Sequence, residues 1–218
     1  MKTEINLSAV SNTQYQSILS YFGLEERCLD SNEINFLPTG RDPLEFIWAP
    51  EKEDAQMGRC LDWFKSTISL PPRKEIHSVA GISDFLNYSF GGTNKSAYLL
   101  KGTTDIVIVP DIYVQNFNMR VGLQIAIQLK KDICEADHRQ AMLQLIAASA
   151  FARFPVTVVL TDLKQCWQFM WCSAFGVDQI TLDHRGGVTF LENILNTEGS
   201  DPHHNIFKMK NHLAQQED

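Results

Sequence analysis

Residues 102–171 decide the fold: GTTDIVIVP (102–110), RVGLQIAIQLKK (120–131), the helical run DHRQAMLQLIAASAFARF (137–154) and PVTVVLTDLKQCWQFMW (155–171). Within 123–130 the side chains alternate, Leu123, Ile125, Ile127 and Leu129 pointing one way and Gln124, Ala126, Gln128 and Lys130 the other. This period predicts a strand with one face in the core and one face left to solvent or chemistry. A short neighbouring strand over 105–109 would carry Asp105 onto the face of Gln128 and Lys130, so that an acid, an amide and an amine converge.

Working outward, Tyr15, Ile18, Leu19 and Phe22 recur at helical spacing before Gly23, and Met57, Leu61, Phe64 and Ile68 do so before Pro71 and Pro72. Between them, Pro38, Gly40, Pro43 and Pro50 break the chain into two short extended pieces around a turn. Residues 73–90 are expected as a third helix carrying Ile76, Val79, Phe85, Leu86 and Phe90, with Glu75 and His77 near its start and Gly91-Gly92 at its end. SAYLLK (96–101) reads as a strand, and 110–120 as a surface loop or an excursion of a hairpin. A helix over 136–154 stops at Pro155. Two strands follow, the second with Trp167, Phe169 and Trp171 facing together. DQITL (178–182) is a short strand, Gly186-Gly187 a turn, VTFLENILN (188–196) a helix, and a polar tail begins at Thr197. The succession is α/β, a central sheet with helices on its faces. The double proline divides a mostly helical N-terminal lobe (1–72) packed on the core from a central unit (73–196), with the tail at 197–218.

Composition narrows the classes. At 218 residues, with 44% hydrophobic and 21% charged residues, the chain can bury a substantial core. No apolar run reaches the length of a membrane span, and MKTEINLSAV lacks a secretory pattern, so neither a membrane partner nor export by such a signal is expected. Five cysteines without metal-ligand spacing fit an intracellular, reducing compartment. A net charge of −7 opposes nonspecific binding to polyanions unless basic residues gather on one face. His203, His204 and His212 lie in the tail without a carboxylate or thiol at ligand spacing and read as incidental.

Phosphodiester hydrolysis needs a divalent cation held by carboxylate oxygens, an activated water and a positive group for charge developing on phosphate. Asp105, Gln128 and Lys130 supply much of that set, and the carbonyl of the intervening Leu129 is a further oxygen. GTTDIVIV, IQLKK, RQAMLQL and VVLTDLKQCWQFMW together resemble the restriction-endonuclease-like superfamily, with its Asp and Glu-x-Lys or Gln-x-Lys on adjacent strands of an αβββαβ core. More narrowly, 75–171 resembles the nuclease-like C-terminal domains of Crinkler-type effectors. The resemblance implies a mixed central sheet and a metal-dependent nuclease-like effector domain using Mg²⁺ or Mn²⁺. Asp105, Gln128 and the Leu129 carbonyl would be ligands and Lys130 the catalytic lysine. It also implies nucleic acid as partner, DNA before RNA, or a host nuclear protein, and a host nuclear destination. Glu75 would be the helix-borne acid and Asp111, in a literal Pro-Asp pair, a second acid.

Each residue also has a plainer reading. Asp105 could shape a turn, Gln128 could be a polar pleat residue, Lys130 a solvated strand end, and Glu75 a helix-start acid. Gln140 and Gln144 could contact nucleic acid or metal-bound water, but read first as a solvent-facing i, i+4 pair. Gln128 stands where the strongest form of the motif has Glu, and a neutral amide oxygen holds Mg²⁺ less tightly than a carboxylate. The second function class is therefore a non-catalytic module of the same fold that binds nucleic acid or a host protein.

Overall fold

The structure is a computed structural model and describes residues 2–34, 42–91 and 97–197. The chain opens with strand β1 (Lys2–Asn6) and helix α1 (Asn12–Phe22). Ser11 and Gln14 cap α1 reciprocally, and Gly23, left-handed at φ 59°, ends it. Strand β2 (Glu26–Cys28) follows, and helix α2 (Met57–Thr67) comes next among the longer elements. Strands β3 (Lys74–Ser78), β4 (Tyr88–Phe90), β5 (Ala97–Lys101) and β6 (Ile106–Pro110) lead to the short helix α3 (Asp111–Gln115). Then come β7 (Ile125–Leu129), α4 (Glu135–Phe151), β8 (Thr157–Thr161), β9 (Trp167–Ser173), β10 (Gly176–Leu182) and α5 (His184–Asn196).

Ten strands form two sheets among the described residues, a seven-stranded one in the order β2-β10-β9-β8-β7-β6-β3 and a three-stranded one in the order β1-β5-β4. The large sheet is mixed, with β7 parallel to β8 and β2 parallel to β10 while its other neighbours are antiparallel. The α/β class is as expected. Setting aside β4 and β5, the path through the centre is α2, an antiparallel meander β3-β6-β7, α4, and a parallel return in β8.

Two cores lie on the two faces of the large sheet. Ile106, Ile108, Ile125, Ile127, Leu129, Trp167 and Phe169 pack with residues of α2 and α5. Val107, Val109, Ala126, Val158, Leu160 and Met170 pack beneath α4, which also meets α1 and the helical turn Leu7–Ala9. Helix α4 is buried at every position from Gln140 to Ser149, the pattern of a helix with no solvent face. Strand β7 is buried on both sides, which corrects the expectation of one exposed face. Leu123, just before the strand, joins the α4 side instead of following Ile125.

Other expectations change. Residues 73–90 are not a helix. Arg73 is left-handed at φ 67°, Lys74–Ser78 extends to pair with β6 with only Ile76 fully buried, and turns lead to β4. Ladder pairing to β6 overrode an irregular helical spacing. The 1–72 segment is interleaved with the rest, since β1 pairs with β5 and β2 with β10. Residues 110–120 contain α3. Of the two extended pieces around Pro38, 42–49 carries no regular structure and 35–41 lies outside the described residues, as does the tail beyond Thr197 with its histidines.

Gly186 and Gly187 lie inside the first turn of α5, not in a turn before it. The reason is proximity: a Cβ on Gly187 would stand 2.2 Å from Cγ of Trp167, so the helix can approach the indole only without a side chain there. Gly187→Ala is expected to cost about 2 kcal/mol through overpacking, read as a lower urea midpoint with an unchanged slope. An unchanged midpoint would refute this packing account.

Candidate functional site

Asp105 sits immediately before β6, where its backbone N–H donates to the Ile127 carbonyl (3.1 Å) and Thr104 Oγ1 donates to the same oxygen (2.8 Å). These bonds hold it against β7 just beyond the last paired residues, Ile106 and Ile127. Its Oδ2 accepts from Gln128 Nε2 (2.7 Å) and from the Leu129 backbone N–H (2.7 Å). Of the acid, amide and amine expected to converge, the acid and the amide are hydrogen-bonded to each other.

The amide looks inward. Gln128 Oε1 accepts from Gln140 Nε2 (3.2 Å) and Gln144 Nε2 (2.5 Å), and Gln144 Nε2 also donates to the Thr103 carbonyl (2.8 Å). All three glutamines are buried, Gln144 completely, which corrects the reading of Gln140 and Gln144 as a solvent-facing pair. The helix that carries them has no face free for water, so their amides find partners inside or none. Gln144 Oε1 is buried without a partner among the described residues.

Lys130 turns to a different acid. Its Nζ lies 3.3 Å from Asp137 Oδ1, in the first turn of α4. Burial pushes the Asp137 carboxyl up, but the Cys134 thiol and backbone N–H and the Lys130 ammonium outweigh it and hold the group below the ordinary carboxylate range. Lys131 is engaged by the segment before α2. Its Nζ donates to the Ala49 carbonyl (2.6 Å) and to that of Glu51, it lies over the Trp48 ring, and its backbone N–H donates to Glu53 Oε1 (2.6 Å).

The two auxiliary acids lie elsewhere. Asp111 is at the opposite end of β6, about 20 Å along the chain from Asp105 at about 3.3 Å per residue; its Oδ1 accepts from the Ile112 N–H and its Oδ2 is 3.9 Å from Arg73 Nε. Glu75 is on a strand, not a helix. It pairs in register with Val109 near that same end, and its Oε2 is 2.8 Å from His77 Nε2. Neither joins Asp105. Among the described residues no group of three or more His, Cys, Asp or Glu side chains is placed to hold a metal ion.

The donor set does not fit Mg²⁺ or Mn²⁺ as arranged. Burial, opposed by the Leu129 N–H and the Lys130 charge, pushes the Asp105 carboxyl up to about 6. An amide oxygen has two lone pairs, and both of Gln128's are taken by Gln140 and Gln144. A hard cation wants several anionic or carbonyl oxygens facing one point, and here one partly protonated acid stands beside an amide N–H.

A third cluster was not read from the sequence. Glu26 on β2 accepts from Tyr15 Oη (2.5 Å) on α1 and lies 3.0 Å from His138 Nε2 on α4. The His138 contact, with the tyrosine hydroxyl adding to it against burial, holds the Glu26 carboxyl below its ordinary value, while burial and Glu26 raise the Tyr15 phenol. No local spacing signals a contact spanning three elements.

The chain is 30% identical over 124 residues to Crinkler effector protein 161 of Phytophthora sojae (strain P6497), covering 56% of this chain and 28% of that protein. Over that stretch it is a homologue of Crinkler effector proteins. It is also 33% identical over 144 residues to Crinkler effector protein 2 of Phytophthora infestans (64% of this chain, 31% of the relative) and 29% identical over 146 residues to Crinkler effector protein 4 of Phytophthora capsici (62% and 33%). The chain spans about a third of the length of these curated relatives or less. No protein-family model matches it, and no solved structure matches it.

The raised Asp105 carboxyl has a pH signature. Between about 4 and about 6 the folded state keeps the proton that the unfolded state has released, so this residue's contribution to stability falls as pH rises through that window and is flat above it. The stability difference between the native chain and Asp105→Asn, from urea unfolding at stepped pH, is expected to shift against the native chain from pH 4 to 6.5. A difference independent of pH would mean that the carboxyl titrates normally.

Proposed function

We propose that the chain is a non-catalytic module of a Crinkler-type effector, built on a nuclease-like scaffold, that acts inside a host cell by binding a host protein. The single observation carrying this reading is the use of the Gln128 amide: its nitrogen serves Asp105 and its oxygen serves Gln140 and Gln144, so the position of a second metal ligand is spent on internal hydrogen bonds. The names of the relatives support the effector role, and the path α2, β3-β6-β7, α4, β8 supports the scaffold. A nuclear destination enters only through the family resemblance.

A protein partner is favoured over nucleic acid because Lys130 and Lys131, the cations that follow Gln128, are already engaged, as are others. Lys101 is paired with Glu4, Arg27 with Asp178, Lys130 with Asp137 and Arg139 with Glu135, and Lys131 is bonded to backbone carbonyls. A net charge of −7 also opposes the contact with a phosphate backbone on which nucleic-acid binding rests.

The second reading is a metal-dependent nuclease acting on DNA or RNA, with Asp105 and Gln128 as ligands and Lys130 beside the phosphate. The meeting of Asp105 with Gln128 favours it. It requires Gln140 and Gln144 to release the Gln128 oxygen and Lys130 to leave Asp137.

Labelled DNA and RNA incubated with the protein and Mg²⁺, Mn²⁺ or chelator separate the two. Equal traces in all lanes, unchanged in Lys130→Ala, are expected; cleavage that needs metal and vanishes in that variant would install the nuclease reading. Gln128→Glu sets two carboxylates against each other and is expected to lower stability at pH 7 by about 1–3 kcal/mol, with no recovery on adding Mg²⁺. Recovery would show that a cation can enter between them.

A further inference from the structure

Helix α3 sits at the corner where β6 ends. Tyr113 anchors it, its ring edge-on to Phe154 (5.8 Å) and so close over Gly122 that a Cβ there would stand 2.3 Å from Cγ of the tyrosine. Val114 packs against the core on the α4 side of the sheet. The side left outside carries Ile112, 46% exposed, and, just past the helix, Phe117, 96% exposed.

Phe117 is unfavourable to the fold in two ways. Its backbone is left-handed at φ 52°, a conformation that bulky side chains avoid and that asparagine, present on either side at Asn116 and Asn118, adopts far more readily. Its ring lies in water and not against the fold. Of the other left-handed residues that are not glycine among the described residues, Leu163 is wholly buried and Arg73 turns the chain into β3, so each serves the structure. Strain that nothing inside the fold offsets points to a use outside it.

Charge says what kind of surface would cover this ring. Arg73, whose carbonyl accepts from the Asp111 N–H at the start of α3, has an exposed guanidinium with Nε 3.9 Å from Asp111 Oδ2, beyond hydrogen-bond reach. Arg153 is exposed, and its N–H donates to the carbonyl of Val121, whose own N–H donates to that of Asn118 beside Phe117. With Lys74 and Arg120, the corner made by 73–75, 110–122 and 153–155 holds four cations against two carboxylates, Glu75 and Asp111, in a chain of net charge −7. An exposed aromatic and an exposed aliphatic beside guanidinium groups fit an apolar side chain flanked by carboxylates. A nucleic-acid strand fits less well, since Ile112 offers no ring to stack a base and Asp111 interrupts the positive track.

We infer that this corner docks an acidic segment of a partner protein, its apolar side chain on Phe117 and Ile112 and its carboxylates on Arg73 and Arg153. The inference rests on the protein-binding reading proposed above and names the surface and the chemistry of the partner. Metal-dependent cleavage would remove that reading, whereas equal cleavage lanes together with no peptide binding would remove only this surface.

Fluorescence anisotropy of the full chain with a labelled peptide, Leu-Phe flanked on each side by a pair of Glu, tests it. Saturable binding that weakens with added salt is expected, with no binding when Lys replaces every Glu and roughly tenfold weaker binding when Ser replaces Leu and Phe. Phe117→Asn is expected to weaken binding roughly tenfold while raising the urea midpoint, because it relieves the left-handed backbone and removes an exposed ring. Arg153→Glu is expected to weaken binding to a similar extent at an unchanged midpoint. No saturable binding of the acidic peptide, equal binding of the lysine peptide, or native affinity in Phe117→Asn or in Arg153→Glu would each overturn the inference. So would a lowered midpoint in Phe117→Asn, which would give the ring a role in the fold, or tighter, Phe117-dependent binding of a labelled single-stranded oligonucleotide.

Discussion

The Gln128 side chain is the polar junction on which this arrangement of elements depends. It joins the strand carrying it to the start of β6 through Asp105, and to α4 through Gln140 and Gln144. Buried amides left without partners cost on the order of 1–3 kcal/mol each, so the net fixes how α4 lies against β7 more narrowly than apolar contact alone can. One acceptor, Gln144 Oε1, is still unmatched among the described residues. The net stores a small penalty beside Asp105.

The ends of the parallel strands β7 and β8 are also closed from outside. The segment before α2 reaches over them, with Phe46 N–H donating to the Leu163 carbonyl, Trp48 Nε1 to the Asp162 carbonyl, and Lys131 held by the Ala49 and Glu51 carbonyls. Glu53 and Asp54 on this segment add negative potential at Asp105. Electrostatics and hydrogen bonding thus point the same way, toward a polar cluster around Asp105 and Gln128 that serves to hold structure.

Much of the central unit could be read in the residues because period-two alternation and long apolar runs are strong local signals. The strands containing Ile127, Val159 and Phe169, the helix from Glu135, and the meeting of Asp105 with Gln128 all follow from spacing. What failed was decided by partners distant in sequence. Ile76 and Val79 satisfy a helical spacing, and only pairing with the neighbouring β6 draws Lys74–Ser78 into extended form. Gln140 and Gln144 look like a solvent pair until both sides of α4 are known to be covered; two polar positions on an otherwise apolar helix were the available clue. The pairing of Lys130 with Asp137 and of Glu26 with Tyr15 and His138 had no local signature at all.

The N-terminal strands have a consequence for how the chain is made. Lys2–Asn6 lies in parallel beside Ala97–Lys101, and Glu26–Cys28 in parallel beside β10, whose paired residues are Val177 to Gln179. Contacts closing loops of this span form late and slow the folding of a chain. During synthesis Lys2–Asn6 must wait until Lys101 has been made, and Glu26–Cys28 until Gln179 has been made. Until then α1 has no second surface to cover its apolar side. A nascent chain of this design stays open to chaperones or to proteases until β10 has been made and can close beside Glu26–Cys28.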